Sequence, residues 1–115
     1  MALKTKIKEK DGVAIVTLNG HLDSLTVDDL NVEFSRVMRS GQKKILLVMK
    51  GVSYMSSAVV RVFLSFNHWA NQMGGELKIA EVHPNAMEVF RLLGLHSVLS
   101  IYDSSADALE SFTES

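Results

Sequence analysis

The stretch Ile45-Leu46-Leu47-Val48-Met49, with Lys44 before it and Lys50 after it, constrains the fold more than any other part of the chain. It is too short for a helix that could bury itself. A strand with one wet face alternates polar and apolar residues, so an unbroken apolar run needs cover on both faces. Such a strand sits in the middle of a mostly parallel sheet, and parallel neighbours need helical crossovers between them.

The rest of the chain supplies those parts. Lys4–Lys10 reads as a strand of mixed polarity, Asp11-Gly12 as a hairpin turn, and Val13–Leu18 as a β-branched partner strand closing at Asn19-Gly20. Thr26 and Asp29 have capping-box-like spacing, Leu30, Phe34, Val37 and Met38 share one helical face, and Gly41 supplies the stop. After Gly51 and a short connection, a second helix runs from Ser57 to Met73. Val59, Phe63, Phe66 and Ala70 form its apolar stripe, and Arg61, Ser65, His68 and Gln72 its polar one. Gly74-Gly75 ends it, and Leu77–Ala80 is the next strand. Pro84 opens a third helix carrying Met87, Phe90 and Leu93 and stopping at Gly94. Val98–Tyr102 forms a last strand, and Ser104 and Asp107 start a final helix through Ala108, Leu109 and Phe112. The order is β-β-α-β-α-β-α-β-α. It predicts one α/β domain over residues 1–115, a mixed, mostly parallel sheet with four helices.

Several function classes lack their usual signals. There is no cysteine, which excludes disulfides and thiolate metal sites. His21, His68, His83 and His96 are scattered, with no i,i+4 pair, so no metal is expected. No serine lies in a G-x-S-x-G elbow, and Gly74-Gly75 follows a helix rather than opening one, so it cannot cradle phosphates. Neither a catalytic residue nor a cofactor is expected. Net charge is −1, and the longest basic cluster, Gln42-Lys43-Lys44, is too short to track a phosphate backbone, so nucleic acid is not expected as a partner. No apolar run reaches the ~20 residues of a membrane span. The start, Met1-Ala2-Leu3-Lys4, leads into a charged strand without a signal-peptide core, so a cytoplasmic location away from membranes is expected. Self-association is left open.

Two segments carry a family resemblance. Leu18-Asn19-Gly20-His21-Leu22-Asp23 resembles the G-x-[LI]-D signature that follows the early hairpin of STAS domains. The stretch from Gly51 through Ser53-Tyr54-Met55-Ser56-Ser57-Ala58 to Leu64 is similar to the strand-to-helix segment of the same family, in its anti-sigma-factor-antagonist branch. The resemblance spans essentially the whole chain and implies a STAS-like fold with the helices on one side of the sheet. It matches Ser57 to the serine that anti-sigma kinases phosphorylate, Ser56 to a position where many relatives carry Asp, and Ala58 to the following small residue. Val59 departs from the family's Gly, and Val48 from an Asp common in the central strand.

That resemblance implies a binding protein: unphosphorylated, it would hold a kinase-type anti-sigma factor and so free a sigma factor. Asp23, Ser56, Ser57, Ala58 and Arg61 would meet the partner, with ATP belonging to the kinase. Simpler roles stand beside these. Ser56 or Ser57 would serve as an N-cap, and Asp23 as a turn residue. Trp69 reads as partly buried core. A STAS scaffold or sensor module without a switch is the first rival. A carrier with a pocket lined by Phe63, Phe66, Phe90 and Leu93 is the second, although helical periodicity places those residues in the core.

Overall fold

A computed structural model describes residues 3–113; residues 1, 2, 114 and 115 of the expected domain lie outside the described residues. The strands are β1 (Lys4–Lys10), β2 (Val13–Leu22), β3 (Lys44–Met55), β4 (Glu76–Ala80) and β5 (Ser100–Tyr102). The helices are α1 (Val27–Arg39), α2 (Val60–Gln72), α3 (Pro84–Leu92) and α4 (Ser105–Thr113), with short 3₁₀ turns at Ser57–Val59 and Leu95–Ser97. The strands form one sheet in chain order, β1-β2-β3-β4-β5. Among the described residues only the β1–β2 pair is antiparallel, as Asp11-Gly12 implied.

This monotonic order decides where the helices go. When each parallel crossover has the same hand and the sheet grows in one direction, every crossover helix lands on the same face. The residues buried together on that face come from α1 (Leu30, Phe34, Val37), α2 (Phe63, Phe66, Ala70) and α3 (Ala86, Phe90), packed on Val16, Leu18, Ile45, Leu47 and Ile79. Phe34 stacks on Phe66 with ring centroids 4.0 Å apart, Phe66 on Trp69 at 5.6 Å, and Phe63 lies 5.9 Å from Phe90. The three phenylalanines named for a pocket therefore fill the core, while Leu93 is about half exposed.

α4 follows the last strand and has no further strand to reach. It crosses to the opposite face, where Ala108 and Phe112 cover Val13, Leu46, Val48 and Ala80. The helices thus do not all lie on one side, as the resemblance implied, and the apolar run of β3 is buried on both faces. Val48, where the resemblance would often have Asp, belongs to this second core. Lys78 is also buried beneath α4; its Nζ donates to Ser111 Oγ at 2.6 Å and lies 4.5 Å from the centroid of Phe112.

Two strands run further than the sequence suggested. β2 continues through Asn19-Gly20 to Leu22, and β3 through Gly51 to Met55. The extra length of β3 is irregular: its register against β2 jumps from Val48 to Gly51 and from Val52 to Tyr54, each time placing one more residue on β3 than on β2. These are bulges. They change the inward spacing of β3 from two (Ile45, Leu47, Met49) to three (Met49, Val52, Met55).

Candidate functional site: the Ser57 corner

The bulged end of β3 controls the geometry of the corner. At Gly51 a Cβ would lie 1.8 Å from Asn19 Oδ1 and 2.9 Å from the Leu18 carbonyl oxygen, so only glycine admits this approach of β2 and β3. Gly20 on β2 has φ 127°, a conformation that side chains disfavour. The last rung joins the two signature segments: the Ser56 N–H donates to the Leu22 carbonyl at 2.8 Å. Asp23 follows Leu22 directly, so the two motifs meet at one end of the sheet although they lie far apart in the chain.

Beyond that rung the chain turns into α2. Ser56 is extended (φ −92°, ψ 160°), and the Val59 N–H donates to its carbonyl at 3.3 Å. Neither serine caps the helix. The Ser56 hydroxyl is turned inward, buried and without a hydrogen-bond partner among the described residues. The expected side-chain cap is replaced by a 3₁₀ turn closed through the main chain.

Ser57 and Ala58 are exposed. The Ser57 hydroxyl makes no hydrogen bond among the described residues, so it is free for a partner. It stands on a ridge between two shallow grooves. One, of about 430 Å³, is lined by Val27, Asn31, Arg61, Val62 and Ser65. The other, of about 400 Å³, is lined by Tyr54, Met55, Val89, Leu92 and Leu93. Arg61 supplies a cationic group to the first groove; the second is mostly apolar.

Asp23 takes the turn role. Its Oδ1 accepts the Leu25 N–H at 2.9 Å. Thr26 does not form a capping box: its buried hydroxyl donates to the His21 carbonyl at 2.7 Å and accepts the Asp23 N–H at 3.1 Å. This ties the loop to the end of β2. Across the bulge His21 meets Tyr54 edge-on, with centroids 6.0 Å apart.

Residues 4–108 match the sequence model of the STAS domain. The chain belongs to the STAS family. Among its relatives, the anti-sigma F factor antagonist of Paenibacillus polymyxa is 31% identical over 110 residues, covering 95% of this chain and 94% of that protein. An anti-sigma factor antagonist from Mycobacterium paratuberculosis superposes with a TM-score of 0.88 at 19% identity, over 96% of this STAS chain and 94% of the other. The Bacillus cell fate determinant SpoIIAA in its phosphorylated form gives a TM-score of 0.70 at 18% identity, over 94% and 98%.

Of the residues expected at a partner surface, this STAS fold gathers Ser57, Ala58 and Arg61 on one groove, with Ser56 beside them and Asp23 tied to the adjoining rung. The sequence reading missed the apolar rim. Leu92 is 76% exposed and Tyr54 50% exposed beside the second groove, while Leu25, next to Asp23, is 88% exposed. The signal was present at Leu92-Leu93: two adjacent leucines cannot both face inward at the end of a helix.

Proposed function

We propose that this chain is an anti-sigma factor antagonist: a binding protein that covers a kinase-type anti-sigma factor with its Ser57 corner and is switched off by phosphorylation of Ser57. The observation that carries the reading is an exposed Ser57 hydroxyl, unbonded among the described residues, between a cationic and an apolar groove. Its relatives named as antagonists support the class, and a fold neighbour solved in a phosphorylated form supports the switch. Partner, not enzyme, is the role: the anti-sigma factor would supply both the ATP and the phosphoryl transfer.

The expected mechanism is local. A phosphate adds a charge of about −1.5 to −2. At the head of α2 it would meet the positive end of the helix dipole and lie near Arg61, so the fold tolerates it. Binding is lost because a surface fitted to a neutral hydroxyl would have to bury that charge.

The test is incubation of the chain with a kinase-type anti-sigma factor and ATP, followed by peptide mass spectrometry. One phosphate on Ser57 is expected, and none in Ser57→Ala. Ser57→Asp should weaken binding by about tenfold or more, a loss of about 1.4 kcal/mol. Phosphate elsewhere, or phosphate on Ser57 with undiminished binding, would overturn the switch. Ser56, with its hydroxyl facing inward at the position where the resemblance places Asp in many relatives, favours the rival reading, a STAS scaffold that binds without switching. In that case Ser57→Asp leaves partner binding unchanged.

A further inference from the structure

β1 is an edge strand, paired only with β2 among the described residues. Its outer side therefore presents a row of N–H and C=O groups able to accept another strand. The register sets Lys4, Lys6, Lys8 and Lys10 opposite Asn19, Thr17, Ile15 and Val13, so the four lysines share one face of the sheet. All four are exposed, and none joins an ion pair among the described residues. α4 covers that same face mainly over β3, β4 and β5; its end reaches toward β1 only at Lys10, where Leu109, Glu110 and Thr113 line a groove with Lys10 and Asp11. Alternate residues of a strand lie about 7 Å apart, so the four charges form a line roughly 20 Å long. A chain of net charge −1 thus carries a concentrated basic edge that a search for consecutive basic residues overlooks.

The other face of β1 carries Thr5, Ile7 and Glu9, opposite Leu18, Val16 and Ala14. Here a groove of about 320 Å³ opens between β1 and α1, with Ile7, Ala14 and Val37 as apolar lining and Arg36 and Gln42 at its rim. Ile7 is 42% exposed beside it. Two nearby acidic groups are engaged, Glu9 accepting from Gln42 Nε2 at 2.8 Å and Glu33 Oε1 accepting from Thr5 at 2.8 Å and from Arg36 at 3.2 Å, while Asp29 stands further along the same margin.

We propose that the β1 edge binds an extended, acidic segment of another protein by strand addition. Its Asp or Glu side chains, at alternate positions, lie along the lysine row, and an intervening apolar side chain seats in the groove beside Ile7. Charge and pattern select this occupant. A second copy adding antiparallel through its own β1 would set lysine rows against each other, which cross-strand repulsion disfavours. A nucleic acid or a lipid surface would use the charges but leave the unpaired backbone groups and the apolar groove unused. β1 contributes no residue to either Ser57 groove, so this surface is independent of the proposed antagonist site.

The probe is a capped heptapeptide of alternating Glu and Val, titrated into the ¹⁵N-labelled full chain and compared with Lys–Val and Glu–Ser analogues and with oligodeoxythymidylate. Expected are amide shifts confined to residues 4–10, Ala14 and 36–42, slowed exchange of outward β1 amides, and at least tenfold weaker binding to Lys6→Glu/Lys8→Glu. Both substituted side chains are exposed, and unchanged spectra elsewhere verify the fold of the variant. Ser57→Asp should leave this binding unchanged. No binding, or equal binding by the Lys–Val peptide, overturns the proposal. Equal binding by the Glu–Ser peptide or by oligodeoxythymidylate, without slowed β1 exchange, also overturns it and identifies a simple polyanion surface.

Discussion

Replacing Ser56 by alanine tests the geometry of the Ser57 corner most directly, because here the structure predicts that removing a polar group stabilises the fold. The Ser56 backbone is fully used: its N–H bonds to Leu22 at 2.8 Å and its carbonyl accepts from Val59 at 3.3 Å. Its hydroxyl is buried without a partner among the described residues. An unsatisfied buried hydroxyl costs about 1–3 kcal/mol. The alanine Cβ keeps the contacts of the serine Cβ, so only the dispersion contacts of one oxygen are lost, on the order of 0.5 kcal/mol. The net expectation for Ser56→Ala is a gain of about 1 kcal/mol, or a rise in Tm of about 4 °C or somewhat more. Urea unfolding followed by the fluorescence of Trp69, the sole tryptophan, would read it, with the m-value unchanged. A loss of about 0.5 kcal/mol or more would mean that the hydroxyl has a partner, and the account of this corner would be wrong. The same variant should still receive its phosphate on Ser57.

Two further substitutions probe the elements that build the corner. Gly51→Ala should cost about 1–3 kcal/mol by overpacking against Asn19 and the Leu18 carbonyl. Asn19→Ala in that background should restore only part of the loss, since the backbone clash remains; full recovery in urea denaturation would refute the bulge geometry. Thr26→Val should cost about 1–3 kcal/mol by stranding the His21 carbonyl and the Asp23 N–H. Thr26→Ser, which keeps the hydroxyl, should be close to neutral by thermal melting; equal losses in both variants would point instead to the Thr26 methyl group.

The element order was legible because local signals agreed with the fold. Asp11-Gly12 marked the hairpin, Gly41 and Gly94 followed the ends of α1 and α3, and Pro84 opened α3. The second half of β3 was not legible. Its bulges space Val52 and Met55 three apart, a pattern that imitates neither a regular strand nor a helix, so a connection was expected instead. Asn19-Gly20 carried a turn signal, yet pairing with Gly51 and Val52 holds it in the sheet. The capping-box spacing of Thr26 misled for a similar reason: its hydroxyl finds the end of β2 before it can serve the helix. At the site, Ser57 was legible through its motif, whereas the exposed Tyr54 and Leu92 in the groove beside it were not, since exposure depends on which elements stop covering a residue.

Sequence alone determined the class of fold, because the apolar run of β3 and the helical stripes around it admit burial in only one kind of layered arrangement. It also placed Ser57 at a strand-to-helix junction. Tertiary structure alone decided that Ser56 turns inward while Ser57 faces out, that α4 crosses to the far face, and that the strand carrying the alternate lysines lies at an edge of the sheet. Each of these outcomes depends on pairing and packing between distant segments, which local pattern does not encode.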